Sequence, residues 1–483
     1  MKYLLRIFIV VLLTPGLALA KELPRANHRH DSLAKNFNHP NSMPVNSLSQ
    51  TQEKELAKQF LAMLRKHELF LNDPVVVDYV QTVGHRLGRA AQMSQKLHFF
   101  VIANDTVNAF AGPDGYIGVN TGLFRITQNE GELAGVLAHE IAHVRERHLM
   151  RMLALSKENR IPNLLGAIGA IAIGIINPLA GIGAFTAMTA GYVQNLINYT
   201  RAHEKDADRI GMKILYRANY NPFEMPKMFE RLAQNERYFP NDIPVYLRTH
   251  PHSTERISDS ENRALDYPKK KYRQEPFPFL LIKKQIEVDV SVNPNKNLAN
   301  FHMDSRTQAN KYVKMADEYG EALAFIKLRQ PNKAIKILRK LIAQEPDEII
   351  FQYTLGKCYQ SKNQLNQAAA IFKQAYELQP DYYPIILAYG NVLIDNKKPK
   401  QAKQFLQAHL HQFRSKTGIY YALAKAQAHA GFEAESHITQ AKLYQILQDP
   451  LGAKLHLEIA LKDKKISADD RFRAKSMLQK LKQ

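Results

Sequence analysis

From residue 311 onward the chain repeats itself. Ala334, Ala368 and Ala402 fall 34 residues apart, and a small residue (Ala322, Gly356 or Gly390) stands 12 before each. Pro346 and Pro380 follow the first two alanines by the same interval. A fixed period of this length, with small residues where two helices touch and proline after the second helix, leaves little choice of architecture. Each unit is a helix pair that buries its apolar face only against the next pair, so residues 311–483 are expected to stack into an all-α solenoid. The phase continues weakly through Ala424, and Ala453 with Ala460 suggests a further unit out of register. This is the tetratricopeptide pattern.

A chain of 483 residues exceeds what one core usually holds, so a further domain is expected ahead of the repeats. Residues 1–20 read as a cleavable export signal. Lys2 and Arg6 give a positive start, Ile7 to Leu13 an apolar run, and Ala18-Leu19-Ala20 a small-x-small cleavage site before Lys21. The alternative is an uncleaved N-terminal anchor. No cysteine follows the site, which argues against a lipid anchor, and the expected compartment is the periplasm. Residues 21–50 are polar and aperiodic and read as a flexible leader, in which His28, His30 and His39 are solvated. Cys358 is the lone cysteine, so no internal disulfide forms; it reads as a small buried hydrophobe. The net charge of +21 is spread along the chain without a recognition helix, so no nucleic acid is expected as a partner. Anionic lipid and acidic proteins suit it better.

Residues 51–265 carry the pattern of a mixed domain. Leu56, Phe60, Met63 and Leu64 form an apolar helical stripe, and Asp73-Pro74 opens a second helix. Leu97 to Ala103 reads as a buried strand. A hairpin follows, with Asn108–Ala111 and Tyr116–Asn120 joined by Gly112-Pro113-Asp114-Gly115. Further helices are expected over Glu130–Met150 and about Val193–Ala218. Between them, residues 164–193 hold no charged side chain and are divided by Asn177-Pro178. Each half is too short to span a bilayer, so an apolar hairpin packed on the domain is expected, with contact to a membrane surface as the alternative. Residues 266–310, with Pro276, Pro278, Pro294 and a lysine run, read as an irregular connector.

The chemistry sits in two short strings. His139-Glu140-Ile141-Ala142-His143 puts two imidazoles on one helical face, able to share one ion, with Glu140 beside them to take a proton from water. Core-type neighbours (Leu133, Val136, Leu137, Ile141) argue against a surface helix with two solvated histidines. A zinc site needs a third ligand. Glu146 and Leu149 stand where the metzincin pattern wants Gly and His, so that class fails, and His148 reads as outer support or a helix cap. Downstream, Glu204 and Asp208 share a face around Ala207. Glu204 is therefore the expected third ligand, and Asp208 the partner that fixes a ligand histidine's tautomer.

Both strings resemble those of the gluzincin family that includes the HtpX-like and CAAX-prenyl-protease-like metallopeptidases. Asn108-Ala109-Phe110-Ala111-Gly112-Pro113-Asp114-Gly115 is similar to that family's edge-strand segment, which implies that Asn108, Ala109 and Phe110 pair with substrate backbone. Thr249-His250-Pro251 with Glu255-Arg256 resembles its late motif, which implies catalytic roles for His250 and Arg256 toward substrate and the developing oxyanion. With an export signal and repeats, the whole resembles the periplasmic BepA-like subfamily. The resemblance implies an α+β zincin-type domain, one Zn2+ per chain, and protein substrates. Outer-membrane β-barrel proteins and their assembly machinery are the implied partners, with a chaperone-like role. The split apolar stretch departs from the integral members and argues against prenyl-protein substrates. An assembly adaptor with a mainly structural zinc is the rival, against which Glu140 speaks. His250 lies on a loop before Pro251 and could either fill zinc's fourth position at rest or only contact substrate at the rim.

Overall fold

The computed structural model describes residues 49–66, 70–158, 193–238, 246, 250, 254–273 and 276–481. Residues 1–20, read as an export signal, nearly all of the expected leader, and the apolar stretch up to residue 192 lie outside the described residues. Among the described residues, no helix is long and apolar enough to cross a membrane.

Helix α1 (Gln50–Lys66) leads into α2 (Pro74–Ala91), whose start is fixed by Asp73: its Oδ1 accepts from Val75 N and Val76 N, both at 2.9 Å. The sheet is small. Strand β1 (His98–Ile102) pairs in parallel with β3 (Tyr116–Asn120), and β2 (Ala109–Ala111) pairs antiparallel with β3, in the order β1-β3-β2. The turn before β3 needs glycine: Gly115 has φ +76, and a Cβ there would lie 2.5 Å from Lys96 O. One face of the sheet carries Phe99, Val101, Ile117 and Val119 into the core, while Phe60 and Leu64 of α1 pack with Ile102 on the other.

After the short α3 (Thr121–Ile126) comes α4 (Glu130–Arg145), started by a reciprocal cap. Asn129 Oδ1 accepts from Glu132 N at 2.9 Å, and Glu132 Oε2 accepts from Gln128 N at 2.8 Å. The expected helix to Met150 does not run through. Arg147 takes φ +55 and the chain restarts as α5 (His148–Glu158), which turns His148 back toward α4. Helix α6 (Val193–Arg217) lies directly on α4, where a Cβ at Gly211 would meet His139 Cα and N at 3.0 Å. Helices α7 (Glu224–Tyr238) and α8 (Thr254–Leu265) complete this part.

The expected irregular connector is instead helical. Helices α9 (Pro276–Val290) and α10 (Pro294–Thr307) fill it, because prolines at the first turn of a helix lack only a donor that has no partner there. Phe279 stacks on Phe124 of α3, and Lys283 Nζ donates to Thr127 O at 2.7 Å. On its other side, Lys327 Nζ donates to Val288 O at 2.6 Å, so α9 joins the two parts.

The repeats follow as antiparallel pairs: α11 (Lys311–Lys327) with α12 (Pro331–Gln344), α13 (Ile349–Ser361) with α14 (Leu365–Leu378), α15 (Tyr383–Asp395) with α16 (Pro399–His409), and α17 (Thr417–His429) with α18 (Glu433–Ile446). Helices α19 (Pro450–Lys462) and α20 (Ala468–Lys480) close the array. Ala334, Ala368 and Ala402 are fully buried, and Gly356 faces the ring of Phe372. The period extends into the turns. Arg329, Asn363, Lys397 and Gly431 all take positive φ, and the next residue donates back across each helix end, as in Gln364 N to Tyr359 O at 2.9 Å. Gln448 has the same conformation outside this phase, where the final helices lose register.

Candidate active site

Four side chains from three places in the chain converge over the middle of α4. His139 Nε2 lies 3.0 Å from His143 Nε2 and 3.3 Å from His250 Nδ1. Glu204 closes the group, with Oε1 at 2.9 Å from His250 Nδ1 and 3.4 Å from His143 Nε2, and Oε2 at 3.3 Å from His139 Nε2. One ligand atom from each residue lies within 4.8 Å of all the others, so the four could hold a metal ion. The spacing is local chemistry: four residues along α4 bring the two imidazoles together, and Gly211 lets α6 approach closely enough for Glu204 to reach them.

Behind these groups is a buried charged frame. Asp208 Oδ1 lies 3.0 Å from His139 Nδ1, and the Arg256 guanidinium forks onto Asp208 at 2.7 and 2.8 Å. Its remaining arm reaches Glu204 Oε2 at 3.0 Å. Arg256 therefore holds both carboxylates, with its face over the Phe229 ring at 5.1 Å. Burial pushes the Glu204 carboxyl up, but His250, His143 and His139 outweigh it and hold it well below its usual range. Burial acts on Asp208 likewise, and hydrogen bonds from His139 and Arg256 overcome it. Burial depresses His139, yet Asp208 and Glu204 raise it to about 10; a divalent cation would take the place of that proton. Burial keeps His143 below its usual range.

Glu140 is fully buried, and neither of its carboxylate oxygens has a hydrogen-bond partner among the described residues. His250 Nε2 stands 3.5 Å from its Oε1. Asn108 is buried just before β2, the strand beside α4 that has β3 on only one side among the described residues. His148, read from the sequence as outer support or a helix cap, has its Nδ1 3.0 Å from His143 Nδ1 and its ring stacked on His203 at 3.9 Å, so it backs His143 and touches the neighbour of Glu204. Two features escaped the sequence reading. Tyr246 stacks on His250 at 4.6 Å, and its N donates to Val107 O at 3.1 Å, tying the His250 segment to the approach of β2. Gly211 is the second, and its only signal in the sequence is a small residue four positions after Ala207, on the same helical face.

Comparison with known proteins adds the family. Residues 75–264 match the model of Peptidase family M48, and residues 361–428 match a tetratricopeptide repeat model. A putative beta-barrel assembly-enhancing protease of Vibrio cholerae serotype O1 is 33% identical over 391 residues, covering 80% of each chain. The beta-barrel assembly-enhancing protease of Escherichia coli K12 is 30% identical over 384 residues, 79% of this chain and 78% of that one. Likeness to the mitochondrial metalloendopeptidase OMA1 of Saccharomyces cerevisiae, 35% over 170 residues, covers only 34% of this chain and 44% of that one. The M48 match over the site and the relatives matched through the repeats lead to one conclusion: the chain belongs to peptidase family M48, among the beta-barrel assembly-enhancing proteases, and is a metalloendopeptidase.

Proposed function

We propose that this chain is a periplasmic zinc endopeptidase, holding one zinc per chain on His139, His143 and Glu204, that acts on outer-membrane β-barrel proteins and meets their assembly machinery through its repeats. The observation that carries the metal is the spacing of the donor atoms. Ligand atoms about 2.0–2.1 Å from a tetrahedral zinc sit about 3.3–3.4 Å from one another. His139 stands 3.0–3.3 Å from His143 and His250, the Glu204 oxygens stand 2.9–3.4 Å from the three imidazoles, and one ligand atom from each of the four lies within 4.8 Å of the others. His250 would be the fourth residue to hold the metal, and would have to move aside for substrate to enter. The relatives' names support the substrate class, and the export signal read at residues 1–20 supports the compartment.

Bound there, zinc would polarise the scissile carbonyl and acidify the attacking water. Glu140 accepts the proton from that water and returns it to the leaving amine; its two oxygens are buried and have no hydrogen-bond partner among the described residues. Asp208 fixes the His139 tautomer, and Arg256 holds Asp208 and Glu204 in place. Substrate lies as an added strand along Asn108, Ala109 and Phe110. Once displaced, His250 donates to the developing oxyanion. The test is trapping. Glu140→Gln carrying a photocrosslinker beside Phe110 should capture unfolded β-barrel precursors in the periplasm. Capture of other periplasmic proteins with no barrel precursor among them would reject the substrate class.

A further inference from the structure

On the far edge of the sheet from β2, a cavity of about 1010 Å³ lies between the peptidase part and the repeats. That is at the top of the roughly 300–1,000 Å³ range of small-molecule pockets, room for a chain segment rather than a metabolite. Its floor is aromatic. His98 stacks on Tyr116 at 4.6 Å, and Phe100 packs against Phe70 at 5.2 Å, with all four rings only partly buried. Its rim is cationic: Arg65, Lys96, Arg414 and Lys416 line it, against Asp114 as the one carboxylate among the described lining residues. Lys96 and Arg414 are exposed and have no carboxylate partner among the described residues. Burial, then Lys96 and His85, hold His98 down at about 4, so it adds ring surface rather than charge.

The strand edge itself is occupied. Gln81 Nε2 donates to Phe99 O at 3.0 Å, and Lys416 Nζ holds both Gln81 and Asp78, the latter at 2.7 Å. An occupant therefore cannot simply join β1 by backbone pairing; it must be read through its side chains. We propose that this cleft binds an extended segment of a client polypeptide bearing alternating carboxylate and aromatic side chains, rings against His98, Phe100 and Tyr116 and carboxylates on Lys96 and Arg414. Such a segment touches both halves of the molecule at once, because Arg65 Nη1 donates to Leu447 O and Lys416 reaches α2 across the same cleft. The inference takes only the class of occupant, a polypeptide, from the function proposed above.

The probe is a short fluorescein-labelled peptide alternating Glu and Phe, titrated by anisotropy onto the full metal-loaded chain carrying Glu140→Gln. Binding is thereby read without cleavage, whether or not the peptidase reading holds. Lys96→Glu with Arg414→Glu should weaken binding by on the order of tenfold or more, and salt should weaken the parent complex. Replacing each Phe of the probe by Ser should weaken it as well, with no change to the protein. Lys314→Glu with Lys336→Glu, exposed in the repeats away from the cleft, should leave binding unchanged. Wild-type binding by the Lys96/Arg414 variant would overturn the proposal. So would equal weakening by the Lys314/Lys336 control, or indifference to loss of the probe's aromatic rings.

Discussion

The active site and the repeats are both made of paired helices, yet they are held together in opposite ways. In the repeats, partners are near neighbours in sequence and apolar: Gly356 takes the ring of Phe372, and Gly390 the side chain of Leu406. In the site, the partners are buried, charged and distant, as His139 and His250 are, 111 residues apart. Apolar packing between neighbours loses energy in proportion to what is removed. A buried polar network fails as a unit, because each lost partner leaves another charge or donor unsatisfied. The repeats should therefore tolerate change in a graded way, and the site should not.

His250 offers the sharpest way to break that contrast. His250→Leu should keep the metal yet lower turnover by on the order of 10²-fold, since an oxyanion donor is lost. X-ray absorption on the zinc-loaded variant should register one imidazole fewer. Wild-type coordination together with a wild-type rate would make His250 a bystander.

A smaller effect is expected at His148, which meets the ring nitrogen of His143 that faces away from the other three groups. His148→Ala should weaken metal affinity by about 10–100-fold in chelator competition, with partial rescue by His148→Asn. Unchanged affinity would reduce His148 to packing. This residue also marks the limit of what the sequence disclosed. The two strings proposed to bind metal were legible because a four-residue spacing on a helix needs no tertiary information. The return of His148 depends on Arg147 adopting φ +55, a conformation that nothing in an arginine announces. Helices α9 and α10 were hidden for a related reason: Pro276 and Pro294 look like breakers until their place in the first turn is known. The repeats were legible because a period is itself long-range information, and even their turns follow it.

The smallest effect belongs to those turns. Lys397→Gly should stabilise the repeats by up to about 1 kcal/mol, because a left-handed conformation strains a residue with a Cβ, and Gly431→Ala should cost a similar amount. Thermal unfolding reads both, and opposite signs would mean that the repeated turn is not what sets the register.

The metal content of two variants tests the site most directly. Zinc measured per chain should be lost in Glu204→Ala, and retained in Glu140→Gln while proteolysis disappears. Full zinc in Glu204→Ala, or undiminished cutting by Glu140→Gln, would contradict the assignment of ligand and base on which the mechanism stands.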